Sequence, residues 1–475
     1  MKKMNLLKRV SAIVLSAAMI ASLAACGTAK TTESTTKATE ATGAATTTKA
    51  ETTAAADGKT GKVYFLNFKP EQDEAYQAIA KQYTAATSIP VTVLTAASGT
   101  YEQTLTSEIA KTDAPTIFQM NGPVGYANWK DYCADLSKSE IYTHLTDKTL
   151  AITDGTGVYG IPFAIEGYGI IYNNAIMTKY FATANPKATS MDAINNFATL
   201  KAVVDDMTTK AKELGIQGAF ASTSLKSGED WRWQTHLLNV PIYYEFRDNK
   251  IDLGSKQTDE IKFQYSKNFQ NIFDLYLNNS VTAPKLLGNI SVDDSMAEFA
   301  LGQCAMVQNG NWAYGQISGV AGNTVKPEDV KFMPIYTGMA GEETQGLCIG
   351  TENYFAINNK ASAEDQKASL DFLTWLYTSA EGKKAVVDQL KFIAPFDTFS
   401  ATEKPTDPLA QDMLAWASKP GITSVAWNFT VFPSQTFKDN VGAALLSYAQ
   451  GQMKWDAVSK LVVDQWKAEK ALAAG

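Results

Sequence analysis

From residue 61 onward, the apolar positions of the chain change repeatedly between two spacings. Short runs of β-branched and aromatic residues, typical of strands, alternate with longer stretches in which apolar residues recur every three to four positions, as on one helix face. Predicted strands cover residues 62–68, 90–96 and 115–120, and predicted helices begin at Pro70 and cover residues 101–110. The order strand, helix, strand, helix, strand indicates a parallel, doubly wound sheet.

The middle of the chain shows the same two patterns in a less regular order. Extended segments are predicted at residues 158–162 and 165–172, helices at 191–214, 259–277 and 292–300, and short strands at 217–221, 242–246 and 304–307. This mixture indicates a second α/β lobe. Further along, Ser362 with Asp365 and Thr378 with Glu381 have the spacing of capping boxes and predict two more helix starts.

The first 25 residues have a different pattern. A basic start is followed by an apolar run over residues 10–23, which is the layout of a secretory signal and is too short to span a membrane. The run ends in Leu-Ala-Ala-Cys-Gly at residues 23–27, which resembles the lipobox of bacterial lipoproteins. The resemblance implies cleavage before Cys26 and acylation of that residue. An ordinary signal peptide that happens to carry a cysteine is the alternative.

Composition and charge change this picture in two ways. Residues 27–60 contain 13 Thr and 9 Ala and no large apolar side chain, so they predict a disordered linker.

The 42 basic and 49 acidic residues give a net charge of −7. Removing residues 1–25 takes away four basic residues and no acidic one, so the mature charge is 38 minus 49, or −11. Such a surface does not suit nucleic acid or an anionic membrane, and attachment is expected to come from lipid.

Turns that follow strands are the candidate site, because ligands of open α/β sheets bind beyond the carboxyl ends of the strands. Three such turns carry amide, carboxylate or indole groups, at residues 119–123, 228–233 and 308–312. Flat aromatic faces beside amides and carboxylates suit a sugar, which presents apolar C–H faces and a rim of hydroxyls. The sequence therefore favours a carbohydrate ligand.

Four segments, in order along the chain, resemble motifs of the extracellular solute-binding proteins of carbohydrate ABC transporters. They are residues 159–174 (YGIPFAIEGYGIIYNN), 296–313 (MAEFALGQCAMVQNGNWA), 354–362 (YFAINNKAS) and 372–382 (FLTWLYTSAEG). The resemblance spans residues 61–475. It implies the two-lobed, type II periplasmic-binding-protein fold, in which two doubly wound α/β lobes are joined by crossing hinge segments, expected here near residues 163–168 and 349–354.

The predicted organisation combines these segments. It comprises a lipoprotein signal peptide (1–25), the lipidated Cys26 with a disordered linker (26–60), an N-terminal lobe (61–164 plus about 353–410) and a C-terminal lobe (165–352 plus about 411–475).

Resemblance to the maltose-binding branch of the family also implies sugar-contacting residues. Trp312 takes the position of an aromatic residue that lies against a sugar ring, and Glu166 that of a carboxylate that bonds sugar hydroxyls. Asn121 takes a position where the branch has polar sugar contacts, although the residues around it differ from those of the branch. The complete predicted substrate-binding set is Lys69, Glu71, Asn121, Glu166, Asp230, Trp231, Trp233, Trp312, Glu352 and Trp427.

Each of these residues also has a structural interpretation. A carboxylate can be a solvated charge or a helix cap, and a tryptophan can be a core residue. Packing is the prediction for the tryptophans in helical patterns, Trp375, Trp416, Trp455 and Trp466.

Signals for metal or cofactor chemistry are poor, and we predict no cofactor, no metal and no catalytic residue. His144 and His236 are the two histidines of the chain and lack metal-like spacing. If Cys26 is acylated, three cysteines remain, and at least one thiol is free unless it pairs between chains. Cys304 and Cys348 flank strand-like segments and are predicted to be core residues rather than a bridge.

The predicted function is a monomeric, lipid-anchored binding protein on the outer face of the bacterial cytoplasmic membrane. It would capture a sugar or oligosaccharide and deliver it to the permease subunits of an ABC importer, with no nucleic-acid partner and no enzymatic activity. One alternative is a lipid-anchored glycoside hydrolase, for which Glu166 and Asp230 could supply the two carboxyl groups. The other is a binding protein for a non-sugar solute such as a peptide, iron or a polyamine.

Overall fold

The computed structural model of the protein describes residues 61–97 and 99–474. The predicted signal peptide, Cys26 and the linker lie outside these residues. The strands are β1 (Val63–Asn67), β2 (Val91–Thr95), β3 (Ile117–Asn121), β4 (Ile152–Asp154), β5 (Gly157–Pro162), β6 (Glu166–Asn173), β7 (Gly218–Phe220), β8 (Cys304–Gly310), β9 (Val330–Met333), β10 (Gln345–Gly350), β11 (Asn353–Ile357) and β12 (Thr423–Ala426).

The α-helices occupy the connections between strands and the C-terminal third of the chain. They are α1 (Asp73–Thr87), α2 (Tyr101–Ile109), α3 (Gly122–Trp129), α4 (Glu140–Thr143), α5 (Asn174–Phe181), α6 (Phe197–Thr209), α7 (Ala211–Leu214), α8 (Leu238–Asp248), α9 (Ser266–Asn278), α10 (Val292–Ala300), α11 (Tyr314–Ser318), α12 (Ala363–Thr378), α13 (Ala380–Asp388), α14 (Pro408–Ala417), α15 (Gln435–Ala449) and α16 (Trp455–Ala474).

The first sheet has the strand order β2-β1-β3-β11-β5-β4. Strand β1 is parallel to both β2 and β3, which confirms the predicted parallel arrangement of the first three strands. Strand β11 returns from far along the chain and pairs antiparallel with β3 and β5. The predicted apolar face of α1 is buried, with Tyr76, Ile79, Ala80 and Tyr83 all turned inward.

The second sheet has the order β12-β10-β6-β8-β7, with β9 also paired to β6. Every residue of β6 is buried, and this strand pairs antiparallel with β8, β9 and β10. The two sheets and the helices around them confirm the predicted α/β class with two sheet-centred lobes.

The chain passes directly from one sheet to the other at two short crossings. Strand β5 ends at Pro162 in the first sheet and β6 begins at Glu166 in the second. In the opposite direction, β10 ends at Gly350 and β11 begins at Asn353. Only three residues lie in the first crossing and two in the second, so the ends of these four strands are close to the boundary between the lobes.

The packing predictions for the helical tryptophans are confirmed. Trp466 and Trp455 are in the core of the second lobe, and Trp375 packs edge-on against Tyr83 at a ring separation of 5.1 Å. Trp416 is partly buried on α14, and its indole nitrogen donates to the carbonyl of Phe332 at 3.2 Å.

Some local predictions are wrong. Residues 242–246 lie in α8 rather than in a strand, because Leu238, Ile242 and Phe246 recur every four residues and are buried together on one helix face. Ser362 caps α12 as expected, but α13 is capped by Ser379, whose hydroxyl accepts from the Gly382 amide, and not by Thr378. Helix α9 begins at Ser266, seven residues later than its predicted start.

The thiols of Cys133, Cys304 and Cys348 are free and buried, which confirms the prediction of a free thiol and of core positions for Cys304 and Cys348. Burial raises the pKa of the Cys133 and Cys348 thiols to about 12.

Over residues 61–97 and 99–474, no helix is long and apolar enough to cross a membrane. No cluster of three or more His, Cys, Asp or Glu side chains suited to a metal occurs in the same ranges.

Candidate ligand-binding site

A buried ion pair joins the two lobes where β1 ends and β6 begins. The Asn67 side chain bonds both the amide and the carbonyl of Lys69, which fixes the turn after β1. Lys69 Nζ lies 2.8 Å from Glu166 Oε1 on the other lobe, and the two side chains are only 8% and 7% exposed. Glu71 Oε1 lies 3.7 Å from the same ammonium, so Lys69 is held between two carboxylates.

Burial and charge act in opposite directions on this pair. Burial opposes the charge of Lys69, but Glu166 and Glu71 outweigh it and raise the pKa of Lys69 to about 12. Burial also raises the pKa of Glu166 above its ordinary value, and the Lys69 ammonium counteracts that rise. The ammonium therefore favours the ionised form of the Glu166 carboxyl at the lobe boundary, against the effect of burial.

Beside the ion pair, the second lobe presents an aromatic cage that centres on His236. The His236 ring stacks on Tyr168 at 4.2 Å and 8°, meets Trp231 edge-on at 4.8 Å, and lies 5.5 Å from Trp312. Lys69 Nζ from the first lobe lies 5.5 Å from the centre of the Trp312 ring. The cage consists of Tyr168, Trp231, His236, Trp312, Trp427 and Phe429.

Trp231 and His236 are brought together by an unusual turn of helix. Residues Arg232–Leu237 form a π-helix, and a π-helix pairs each residue with the one five positions on, which is the separation of Trp231 and His236. In the same turn, Gln308 Nε2 donates to the Arg232 carbonyl at 2.8 Å and ties the segment to β8. The extra residue of the π-turn therefore places both rings on one side of the segment.

Two glycines at strand ends let indole rings lie flat against the backbone. A Cβ at Gly310, the last residue of β8, would lie 2.2 Å from the Trp312 ring. A Cβ at Gly350, the last residue of β10, would lie 2.6 Å from Trp427 Cγ. Because neither distance leaves room for a side chain, glycine at these positions sets the orientation of both cage indoles.

Several polar atoms around the cage are buried without a hydrogen-bond partner among the described residues. They belong to strands β3, β8 and β11, to the π-turn and to Trp427, which follows β12: Gln119 Nε2, Asn353 Oδ1, Arg232 Nε and Nη1, His236 Nδ1, Gln308 Oε1 and Trp427 Nε1. Leaving such groups unpaired costs free energy, so a concentration of them near the partly buried indoles of Trp231 and Trp312 indicates a place where polar ligand groups are received.

The structure brings most of the predicted site residues together. Lys69, Glu71 and Glu166 form the ion-pair cluster, and Trp231, Trp312 and Trp427 belong to the cage. Asn121 and Asn353 pair across β3 and β11 at the second crossing, where the Glu352 carbonyl accepts from the Gly122 amide at 2.8 Å. The roles of Asn121 and Glu352 in ligand contact stay predictions.

Trp233 lies elsewhere. Its ring is 1% exposed and packs edge-on against Phe273 and Tyr276 at 5.0 and 5.2 Å, inside the core of the second lobe. His236, rather than Trp233, lies beside Trp231 in the cage. A periodicity of 3.6 residues cannot show this exchange, because it depends on the π-turn.

Asp230 is wedged between the loop before the π-turn and α15. A Cβ on Gly442 would lie 1.8 Å from Asp230 Oδ2, so this carboxyl is in direct contact with the helix. Burial, with a contribution from Asp439, raises the pKa of Asp230 to about 7. Asp230 is thus a carboxyl that changes its protonation near neutral pH.

Replacing Asp230 with Asn is expected to flatten the pH dependence of stability. Because the folded-state pKa is above the unfolded value, Asp230 contributes stability at low pH that is lost as the pH rises through about 7. Relative to D230N, the wild type should therefore lose roughly 1 to 3 kcal/mol of unfolding free energy between pH 5 and pH 8. Urea unfolding at four pH values measures this, with Asp205→Asn at an exposed surface pair as the control. Parallel curves for D230N and wild type would contradict it.

The family of the chain is shown by its similarity to known proteins. A family model described as "Bacterial extracellular solute-binding protein" matches residues 78–413. A comparison with curated protein sequences found no match.

Solved structures of binding proteins are similar to the chain over most of their length. The solute-binding protein RafE in complex with raffinose has a TM-score of 0.65 at 14% identity, covering 86% of this chain and 100% of its own. The GacH receptor of Streptomyces glaucescens has a TM-score of 0.64 at 15% identity, covering 87% and 99%. A sugar transporter protein of Bacillus licheniformis in complex with stachyose has a TM-score of 0.60 at 14% identity, covering 86% and 100%. The predicted two-lobed binding-protein fold is confirmed.

Proposed function

Since the chain belongs to the bacterial extracellular solute-binding proteins, we propose that it captures a sugar or oligosaccharide between its lobes for delivery to an ABC importer. The observation that carries the proposal is the aromatic cage beside a lobe-bridging ion pair. The partly buried indoles of Trp231 and Trp312 offer flat apolar faces to a pyranose ring, and the unpartnered amide, imidazole, indole and guanidinium groups around them match its hydroxyls. Proteins of the same fold were solved with raffinose and stachyose.

Contacts across the lobe boundary support a mechanism of closure on the ligand. Besides the Lys69–Glu166 pair, the backbones of Gly99 and Gly228 approach so closely that a Cβ on Gly99 would lie 2.8 Å from the Gly228 carbonyl oxygen. A ligand that touches both lobes binds the closed arrangement more tightly than the open one and so shifts the population toward it. The closed form would then dock on the permease and release the sugar as the lobes reopen.

The proposed lobes are residues 61–164 with about 353–407, and 165–352 with the remainder of the chain. We place the second boundary before α14 because Leu409 and Met413 of this helix pack in a core of the second lobe together with Leu347 of β10. The hinges would be the crossings at residues 163–165 and 351–352. Acylation of Cys26, followed by a linker to residue 60, would tether the lobes to the outer face of the membrane.

Binding without hydrolysis is the expected behaviour. A glycosidase needs two carboxyl groups that are free to act on either side of one bond. Glu166 is instead bonded to Lys69, and Asp230 is in contact with α15.

An oligosaccharide panel tests both parts of this proposal. Purified protein is titrated by calorimetry with neutral and acidic oligosaccharides, and the same mixtures are held for a day and assayed for new reducing ends. We expect saturable binding, quenching of tryptophan fluorescence and no increase in reducing ends. Release of reducing ends would establish the hydrolase alternative. Binding of peptides, iron or polyamines in place of every saccharide would establish the non-sugar alternative.

A further inference from the structure

The Arg232 guanidinium is buried at the cage and has no ion-pair partner among the described residues. The residue is 1% exposed, it lies 3.9 Å from the centre of the Trp231 ring, and neither Nε nor Nη1 donates a hydrogen bond within the described residues. Stacking on an indole satisfies one face of the guanidinium but none of its N–H groups. The donors in the plane of the group therefore need an acceptor that the described residues do not supply.

Two of the three nearby carboxylates, Glu229 and Glu71, are committed to other groups, and the third, Asp293, is exposed to solvent. Glu229 Oε1 pairs with Lys226 at 2.5 Å, and its Oε2 accepts from the Val292 amide at 2.7 Å. Glu71 lies beside Lys69. No carboxylate oxygen of the described residues is within 4 Å of a guanidinium nitrogen of Arg232. Burial lowers the pKa of Arg232 to about 9, and the more distant carboxylates of Glu229, Glu71 and Asp293 oppose this shift. The guanidinium is therefore charged at neutral pH.

A second unpaired cation lies close to the same cage. Lys438, in the first turn of α15, is 6% exposed, and its ammonium has no ion pair or hydrogen bond within the described residues. Both Lys438 and Arg232 help to hold the pKa of His236 well below its ordinary value, after the larger effect of burial. His236 is therefore neutral and has cationic groups around it, of which only Lys69 is paired with a carboxylate.

From these contacts we infer that the saccharide bound by this protein is acidic, with a uronate carboxylate received by Arg232 and a contribution from the field of Lys438. The inference rests on the proposed function and names its substrate class. A sugar hydroxyl could fill the hydrogen bonds of Arg232 but would leave its buried charge uncompensated, which is costly. A carboxylate supplies both the charge and two oxygens that fit the planar fork of guanidinium donors.

A matched pair of ligands provides the test. Trigalacturonate and its methyl ester have the same ring framework and differ in charge, and glucuronate-bearing xylo-oligosaccharides with their carboxyl-reduced counterparts form a second pair. For at least one pair, wild-type protein should bind the acid at least tenfold more tightly than the neutral form by calorimetry. Raising the salt concentration from 50 to 500 mM should weaken binding of the acid and leave binding of the neutral form nearly unchanged.

Arg232→Gln and Arg247→Gln separate the two stacked arginines of the second lobe. Arg247 lies 4.3 Å from the Tyr244 ring in a similar stack, but it is paired with Asp248 away from the cage. R232Q should bring the acid-to-neutral affinity ratio close to one, whereas R247Q should keep the wild-type ratio. The ratio and its salt dependence in wild-type protein test the inference even if R232Q does not fold.

Each outcome decides between the two proposals. Neutral saccharides that bind as tightly as acidic ones, or an acid preference that persists in R232Q, would overturn the acidic ligand while the sugar-binding function stands. Binding of no saccharide at all would overturn the proposed function itself, and the acidic ligand with it.

Discussion

Replacing Trp312 with Ala is expected to weaken saccharide binding by roughly 100-fold while the protein stays folded. The Trp312 ring stands between Lys69 of the first lobe and the rings of Trp231 and His236 in the second, at 5.5, 6.0 and 5.5 Å. A buried aromatic anchor at the centre of an interface commonly contributes about 2 to 4 kcal/mol, which corresponds to this loss. Because Trp312 is only partly buried and packs on the outside of two core clusters without belonging to either, its removal should leave the protein folded.

Trp416→Ala is the matched control for this experiment. Trp416 is also a partly buried tryptophan of the second lobe, but it lies away from the cage. Its indole nitrogen donates to the carbonyl of Phe332, and Phe332 pairs with Ile171, five residues along β6 from Glu166. Titration calorimetry gives the affinity of each variant, and thermal unfolding checks that each is folded. An affinity for the saccharide that is equal in W312A and wild type would remove Trp312 from the site.

Replacing Lys69 with Met is expected to lower the free energy of unfolding by roughly 3 kcal/mol at pH 8, because it leaves the Glu166 carboxylate buried without a cation. Without Lys69 the pKa of Glu166 rises further above its unfolded value. A raised carboxyl pKa contributes stability that is lost as the pH rises, so the defect of K69M should be largest at pH 8 and shrink toward pH 5. Denaturant unfolding across this range measures the effect.

A double-mutant cycle completes the test of the ion pair. K69M with E166Q removes both charges and should recover most of the stability lost in K69M alone, which gives a coupling of about 2 to 3 kcal/mol. Lys367→Met, which breaks an exposed pair with Asp371, should change stability by less than about 0.5 kcal/mol. A K69M defect that does not vary with pH would mean that Glu166 is not the carboxylate that responds.

Much of the fold follows from periodicity alone. The first sheet could be predicted because its strands are short apolar runs separated by helices with one clear apolar face, as in α1. The run at residues 242–246 could not, since a short segment with four apolar or aromatic residues out of five fits a strand and a buried helix equally well. Only the burial of Leu238, Ile242 and Phe246 on one face of α8 distinguishes the two.

The candidate site divides in a similar way. Glu166, Trp231 and Trp312 could be proposed because a carboxylate inside an apolar segment and indoles next to turns are unusual positions. His236 and Lys438 could not be proposed. His236 reaches the cage through the π-turn, and Lys438 lies on α15, which is about 200 residues away in sequence and near the cage only in the folded protein. The sequence also gives no sign that Arg232 is buried without an ion-pair partner among the described residues, because an arginine is ordinarily predicted to lie on the surface.

The three buried thiols have a practical consequence for following the lobe motion. With their pKa values raised by burial, Cys133, Cys304 and Cys348 hold almost no reactive thiolate at neutral pH, so maleimide reagents should leave them unmodified. A fluorophore could then be attached at a single new cysteine on each lobe without first removing these three, in protein whose Cys26 is acylated or absent. Energy transfer between two such labels would report opening and closing in a protein whose interior is chemically unchanged.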